Sequence, residues 1–329
     1  MITDAYGFIV RGHRAGRRRS VDWRTAFTAY SACDERAQLE RETFLSHFTY
    51  GRDFAEYLDQ NHSEADYSGP CGADVIHWDI DREGNLDAAL RDARRLTSGI
   101  LDRYHELDDN ALLIFLSGWK GVHIGVPTSL WRPTPSVRFN DVAKRFALAH
   151  AERTRVVVDP WIYTKTRLFR APNSRHPKSG LFKRRLAFDE LIHLRVEGIV
   201  ELARQPMPFG VPTITTTSPT AVADWRDAAG AVERRAADRT GRQPTFSDGS
   251  PKLNALTLAF IRDGAPEGER AVRLFQAAAN LAEFDCPAGL AHALLTEAAL
   301  DSGLAPSETR RQIECGLAHG RQQQEGGDA

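Results

Sequence analysis

The run Val75-Ile76-His77-Trp78-Asp79-Ile80-Asp81 constrains the fold of this chain more than any other segment. Its apolar Ile76, Trp78 and Ile80 alternate with Asp79 and Asp81, the two-residue period of a strand. A strand here buries three large side chains on one face and sets two carboxylates together on the other, which is expected to meet solvent. Like charges at that spacing repel, and a hard divalent cation is the usual neutraliser. A second apolar run, Arg155-Val156-Val157-Val158-Asp159, reads as another strand, with Val157 and Asp159 on one face and Val156 and Val158 on the other. Three carboxylates from two strands suffice for a two-metal site.

Between these runs the stretch Ala111 to Gly118 reads as a buried strand, followed by the turn Ser117-Gly118-Trp119-Lys120-Gly121 and the strand Val122 to Val126. Alternation puts Val122, Ile124 and Val126 on one face. It puts His123 on the other, the face of the aspartates, where Gly125 leaves space beside it. Ser117, the backbone N–H groups of the Gly118 to Gly121 turn, Lys120 and His123 together have the composition of a phosphate-binding cradle. This is not a P-loop, because G-x-x-x-x-G-K-[ST] occurs nowhere in the chain.

Residues 22–60 read as helical, as do the segments from Leu86 to Leu107 and from Phe139 to Arg153. The resulting order, strand–helix–strand–turn–strand–helix–strand, predicts an α+β (α/β) domain over residues 1–212 with helices packed on a mixed sheet. The Thr/Pro-rich VPTITTTSPT, residues 211–220, reads as extended and exposed and leads into a linker over residues 213–249. From 250 to 320, four helical segments punctuated by Gly and Pro predict a small all-α bundle, and residues 321–329 read as a disordered tail.

The net charge of −1 argues against a uniformly basic protein that coats nucleic acid, but the basic residues are unevenly placed. They concentrate between Lys165 and Arg195, opposed there only by Asp189 and Glu190, which makes a local polyanion-binding stretch. Within it, Arg167 and Arg170 carry guanidinium forks that match phosphate oxygens. Asn173, Arg175, His176, Lys178 and Lys183 follow in a loop and a returning strand suited to a nucleic acid backbone. The 4 cysteines form no C-x-x-C pair, so neither a zinc knuckle nor a disulfide framework is indicated. No apolar run reaches membrane-spanning length, and the amino terminus lacks a signal-peptide core. The expectation is a cytoplasmic protein that does not engage membranes.

The ordered set WDID (Asp79, Asp81), SGWKGVH (Ser117, His123) and VVVD (Asp159) resembles the three motifs of the archaeo-eukaryotic primase superfamily. The stretch RLFRAPNSRHPKSGLFK is similar to the block after the third motif in its phage- and plasmid-type bacterial members. The resemblance covers roughly residues 40 to 210, and the C-terminal helices resemble the helical domain that follows the catalytic domain in such primases. It implies an RRM-like catalytic core and DNA-templated primer synthesis and extension by nucleotidyl transfer. It further implies two divalent cations, Mg²⁺ or Mn²⁺, on Asp79, Asp81 and Asp159, with Ser117 and His123 holding the triphosphate of an NTP or dNTP. Lys120 and Arg170 become supporting phosphate contacts, and Arg167, Asn173, Arg175, His176, Lys178 and Lys183 contacts to a single-stranded DNA template. With no Walker A motif, unwinding would fall to a separate replicative helicase. Three other readings fit part of the pattern: an end-joining or gap-filling polymerase of the same superfamily, a metal-dependent nuclease, and a catalytically silent single-strand-binding module.

Overall fold

The computed structural model describes residues 5–65, 67–241 and 253–327, and the side chains of all of these except 238–241 and 322–327. It divides into two compact units, Met1–Arg234 and Arg235–Ala329.

The first unit is α+β. Its elements in order are β1 (Tyr6–Arg11), β2 (Arg19–Asp22), α1 (Trp23–Ser31), β3 (Thr43–Ser46), β4 (Thr49–Tyr50), α2 (Arg52–Asn61), β5 (Cys71–Gly72) and β6 (Val75–Asp81). There follow α3 (Leu86–Arg103), β7 (Leu113–Leu116), β8 (Gly121–Pro127), α4 (Phe139–Thr154), β9 (Leu168–Arg170), β10 (Arg185–Leu186), α5 (Phe188–His193), α6 (Val196–Leu202) and α7 (Pro219–Gly241), whose residues after Arg234 fall in the second unit. Two sheets form: one in the order β5-β4-β1-β3-β9 with β2 on β1, the other in the order β10-β7-β8-β6. All their ladders are antiparallel, so the mixed sheet expected from the element order does not occur.

The alternation of β6 decides the layering. Ile76, Trp78 and Ile80 are fully buried against α3 and α4, where the Trp78 ring meets Phe146 and His150 and its Nε1 donates to the Ala147 carbonyl at 2.9 Å. That hydrogen bond matters because a buried indole N–H left without an acceptor forfeits about 1–3 kcal/mol. The opposite face of the second sheet looks at the first sheet. An apolar layer of Ile9, Leu45, Val75, Leu113 and Phe115 joins them. Asp79 and Asp81 therefore do not stand on an open sheet surface: the first sheet covers that face, and the Asp79 side chain is only 14% exposed.

Residues 22–60 contain two strands, β3 and β4, between helices α1 and α2, in place of continuous helix. All four residues of β3 are buried, and the strand pairs with β1 on one side and β9 on the other. A strand buried on both faces shows no alternation, so periodicity cannot tell it from a helix.

The reading of 213–249 as an extended linker gives way to α7 over Pro219–Gly241, while residues 242–249 lie outside the described residues. Trp225 packs on Trp131, Phe139 and Phe146. Asp224 accepts from Arg103 Nε and Nη2 at 2.6 Å each and from the Tyr104 hydroxyl at 2.7 Å, and that hydroxyl also lies 2.7 Å from His150 Nε2. Buried Ser218 starts the helix by accepting from the Ala221 N–H at 3.3 Å.

The second unit is helical: α8 (Ala255–Asp263), α9 (Arg270–Ala282), α10 (Ala288–Asp301) and α11 (Pro306–Gly327). Its core is Phe260, Leu274, Leu281, Leu295, Ile313 and Leu317 with interleaved alanines. The Asn254 side chain caps α8 by accepting from the Thr257 N–H at 2.8 Å. The helix α11 continues to Gly327 through most of the segment expected as a tail, and residues 328–329 lie outside the described residues. Among the described residues no helix is long and apolar enough to cross a membrane, and all four cysteines are free.

Candidate active site

β6 and β8 pair in a register that sets Asp79 opposite His123 and Asp81 opposite Gly121. The second pairing depends on glycine. A Cβ at Gly121 would lie 2.2 Å from Asp81 Oδ1 and 2.4 Å from the Ile80 carbonyl. Gly125 pairs with His77, so the space it leaves serves His77 and Val75 rather than His123.

Asp79, Asp81, Ser117, Lys120 and His123 line one cavity of about 130 Å³. Trp119 joins them from the turn that carries Lys120, and the other wall brings in Arg14, Arg167, Phe169, Arg170 and His176. The cavity thus has a carboxylate end and a guanidinium end. At the carboxylate end, Asp79 Oδ1 is buried with no hydrogen-bond donor, and His123 Nε2 lies 3.4 Å from it. Burial first, then Asp81 and Asp159, push the Asp79 carboxyl up to about 8, against the pull of Lys183 and Arg167. Lys120 Nζ lies 3.1 Å from Asp81 Oδ2.

The segment carrying Asp159 forms no ladder. It lies along the outer edge of β6 through one bond, Asp159 N–H to the Asp79 carbonyl at 2.8 Å. The valine alternation is as expected, with Val156 and Val158 buried and Val157 73% exposed. Asp159 Oδ1 caps the following 3-10 turn by accepting from the Trp161 N–H at 2.8 Å, and the carboxylate does not line the cavity. It is near enough to raise the Asp79 pKa.

The turn after β7 is closed on itself. Ser117 N–H donates to the Gly121 carbonyl at 2.9 Å, and Gly121 N–H donates to Ser117 Oγ at 3.2 Å. The Gly121 amide is therefore spent inside the turn.

Behind the carboxylates lies a dry wall of rings. His123, His77 and His47 all pack on Phe169, with centroids at 4.4, 4.7 and 5.1 Å. Burial is the largest cause that holds all three imidazoles neutral, His47 down to about 3 and the other two well below the ordinary histidine value. Both nitrogens of His47 and of His77 are buried without partners. Lys183 is also buried here. Its Nζ donates to the Arg170 carbonyl at 2.7 Å and sits 4.2 Å from the Phe169 ring centroid, and burial pushes its pKa well down.

That placement removes two residues from the expected nucleic acid contacts. Lys183 and Asn173 are both buried, and the Asn173 amide donates to the Tyr30, Ser31 and Met207 carbonyls as a tie between loops. A buried side chain cannot reach a strand in solvent. Arg175 and Lys178 are exposed, with Arg175 paired to Glu40 at 2.7 Å, while His176 lines the cavity.

Arg167 and Arg170 come together with Arg14, which the sequence reading did not single out. Arg14 sits in the β1–β2 connection, and its guanidinium and that of Arg170 lie over the Phe44 ring at 4.8 and 5.1 Å. Burial, then Arg167 and Arg170, hold the Arg14 pKa below the usual arginine value. Arg170 pairs with Glu42 at 2.7 Å but keeps a buried Nη1 with no acceptor. Three mutually repelling guanidiniums held around one cavity have the charge and the donors to pair with an anion. The signal for Arg14 was present in the basic run His13 to Arg19, which lay outside every motif.

A hard divalent cation fits the donors at the other end. The unpartnered Asp79 oxygen, raised in pKa by burial and then by two neighbouring carboxylates, is short of positive charge, and Asp81 offers oxygen beside it. Among the described residues no group of three His, Cys, Asp or Glu side chains is already arranged as a ligand shell.

The fold and site together define an α+β protein with a carboxylate-and-guanidinium cleft between two antiparallel sheets and a helical second unit. The structure is similar to the crystal structure of primase RepB′, over 98% of this chain and 94% of that one, at 12% identity and a TM-score of 0.35. No family model and no curated protein matches the chain.

Proposed function

We propose that the chain is a nucleotidyltransferase that synthesises and extends primers on single-stranded DNA. The observation that carries this reading is the polarity of the cavity: Asp79 and Asp81, with Ser117, Lys120 and His123 beside them, line it from the second sheet, and Arg14, Arg167 and Arg170 line it from the side of the first. A nucleoside triphosphate complexed with a divalent cation has the complementary charge order. The motif resemblance to the archaeo-eukaryotic primases supports the same reading, the first two motifs lining the cleft and the third lying along the edge of β6 beside it.

Asp79 and Asp81, with Asp159 beside them, are the residues that would hold the cation. When bound, it supplies Lewis-acid stabilisation of the charge that develops on the oxygens of the α-phosphate and the leaving group. In the transfer, a 3′-oxygen forms a bond to the α-phosphorus and pyrophosphate leaves. Arg14, Arg167 and Arg170 neutralise the triphosphate and fix its direction. The Ser117 hydroxyl donates to a phosphate oxygen, and neutral His123 holds the Asp79 side from within. The ring wall of Phe169, His77 and His47 keeps water from the back of the carboxylates, which strengthens each of these interactions. Arg175 and Lys178, exposed on the following loop, are positioned to meet template phosphates.

A silent binding module does not account for the carboxylate end, which repels phosphate without a cation. A nuclease leaves the guanidinium end without a triphosphate to hold. Labelled NTPs or dNTPs, single-stranded template and Mg²⁺ or Mn²⁺ test the proposal. Products begun without a primer distinguish priming from gap filling, and strand cleavage without incorporation would replace transfer by nuclease chemistry.

A further inference from the structure

Trp119 stands at the rim of the cleft, in the turn between β7 and β8, and is 46% exposed. An indole that large at a polar cleft is held there by specific contacts. The His176 ring stacks on it, with centroids 5.2 Å apart and planes 14° apart, and Lys178 Nζ lies 5.7 Å from its ring centroid. Gly118 makes the presentation possible. Its φ of +87° turns the chain, and a Cβ there would lie 3.2 Å from both His176 Cβ and the Leu181 carbonyl. Ser179 Oγ donates to the Gly118 carbonyl and ties the turn to the loop that carries His176 and Lys178. The adjoining Lys120 reaches Asp81, so the indole sits next to the carboxylate end.

The size of the cavity says what the indole faces. At about 130 Å³ it has room for phosphate groups but falls well short of the roughly 300–1,000 Å³ of pockets that enclose a whole ligand. If it takes phosphates, the rest of the nucleotide lies outside, over the rim. We infer that Trp119, backed by His176, is a stacking platform for a nucleobase attached to the phosphates the cleft holds. The base belongs either to the incoming nucleotide or to the single strand. Stacking is sequence-tolerant, because every base presents a π-face. The inference rests on the phosphate reading of the cavity.

Calorimetric binding to the full chain tests it, in Mg²⁺, with wild type, Trp119→Ala and Trp119→Phe. The probes are ATP against inorganic tripolyphosphate, and a 12-nucleotide single strand against its abasic counterpart. Trp119→Ala is expected to weaken a base-bearing probe about tenfold while leaving the matching base-free probe unchanged, with Trp119→Phe close to wild type. Loss in the ATP arm assigns the platform to the incoming nucleotide, and loss in the strand arm assigns it to the template. Equal affinities of wild type and Trp119→Ala for both base-bearing probes would overturn the inference, as would an equal loss on the base-free probes or no wild-type binding of any base-bearing probe. Wild type that binds base-bearing probes through Trp119 yet incorporates no labelled nucleotide would instead overturn nucleotidyl transfer alone.

Discussion

Asp79 and His123 face each other across the β6–β8 ladder, with His123 Nε2 3.4 Å from Asp79 Oδ1. Neither group supplies the charge the other lacks: burial keeps the imidazole neutral, and burial with two neighbouring carboxylates raises the acid to about 8. The fold therefore holds a carboxylate where, without a cation, a neutral group would be more stable.

Replacing Asp79 by Asn follows from this. The folded pKa lies above the unfolded value of about 3.9, so this group's contribution to stability is complete below that value and is lost as pH rises through about 8. Asp79→Asn, lacking that titration, is expected to melt a few degrees higher than wild type at pH 8.5 in EDTA, and close to it at pH 5. Mg²⁺ should raise the wild-type melting temperature at pH 8.5 and leave the variant unmoved. Thermal scans at the two pH values check it, and a variant less stable than wild type at pH 8.5 would contradict it.

Gly121→Ala places a methyl 2.2 Å from Asp81 Oδ1 and 2.4 Å from the Ile80 carbonyl, at the end of the β6–β8 ladder where the Ser117–Gly121 hydrogen bonds close the turn. Denaturant titration should show a loss of about 1–3 kcal/mol. Metal-dependent transfer should fall by more than the fraction unfolded, because the clash displaces Asp81 itself.

The strand β6 was legible because the sheet buries one face in apolar helices, which imposes the Ile76-Trp78-Ile80 alternation. β8 was legible for the same reason. In the first sheet the strands β3, β4 and β5 were not: β3 is buried on both sides and β4 and β5 are two residues each, too short for a period. Asp79, Asp81, Ser117, Lys120, His123 and Arg170 meet in the cleft because their motifs lie on paired elements of the two sheets. Asn173 and Lys183 read as polar surface residues. Whether such a residue faces a carbonyl or solvent depends on tertiary contacts that a single sequence does not carry, and the same holds for Arg14.

α7 supplies a contrast with the linker reading. If the helix were loosely attached, Asp224→Ala would be silent. In the structure it strips the acceptor from Arg103 and from the Tyr104 hydroxyl, so unfolding stability should drop by about 2 kcal/mol while transfer by the folded fraction is retained. Urea titration paired with a transfer assay below the transition separates the two.

Arg14→Ala and Lys183→Met should behave in opposite ways. Arg14 lines the cavity, so its loss should raise KM for the nucleotide about tenfold with a smaller effect on kcat. Lys183 is buried on Phe115 and Phe169, so Met should leave single-strand affinity and its salt dependence unchanged. A reduced salt slope for Lys183→Met would return that residue to the nucleic acid contacts.

The central claim is that the paired carboxylates of β6 serve nucleotidyl transfer. The most direct measurement is incorporation of labelled NTP or dNTP on single-stranded DNA in Mg²⁺ or Mn²⁺ by wild type and by the Asp79→Asn/Asp81→Asn protein, both verified as folded. The account predicts metal-dependent product from wild type and a loss of at least about a thousandfold in the variant. Product formation by the variant at the wild-type rate, or none by wild type with either metal, would contradict it.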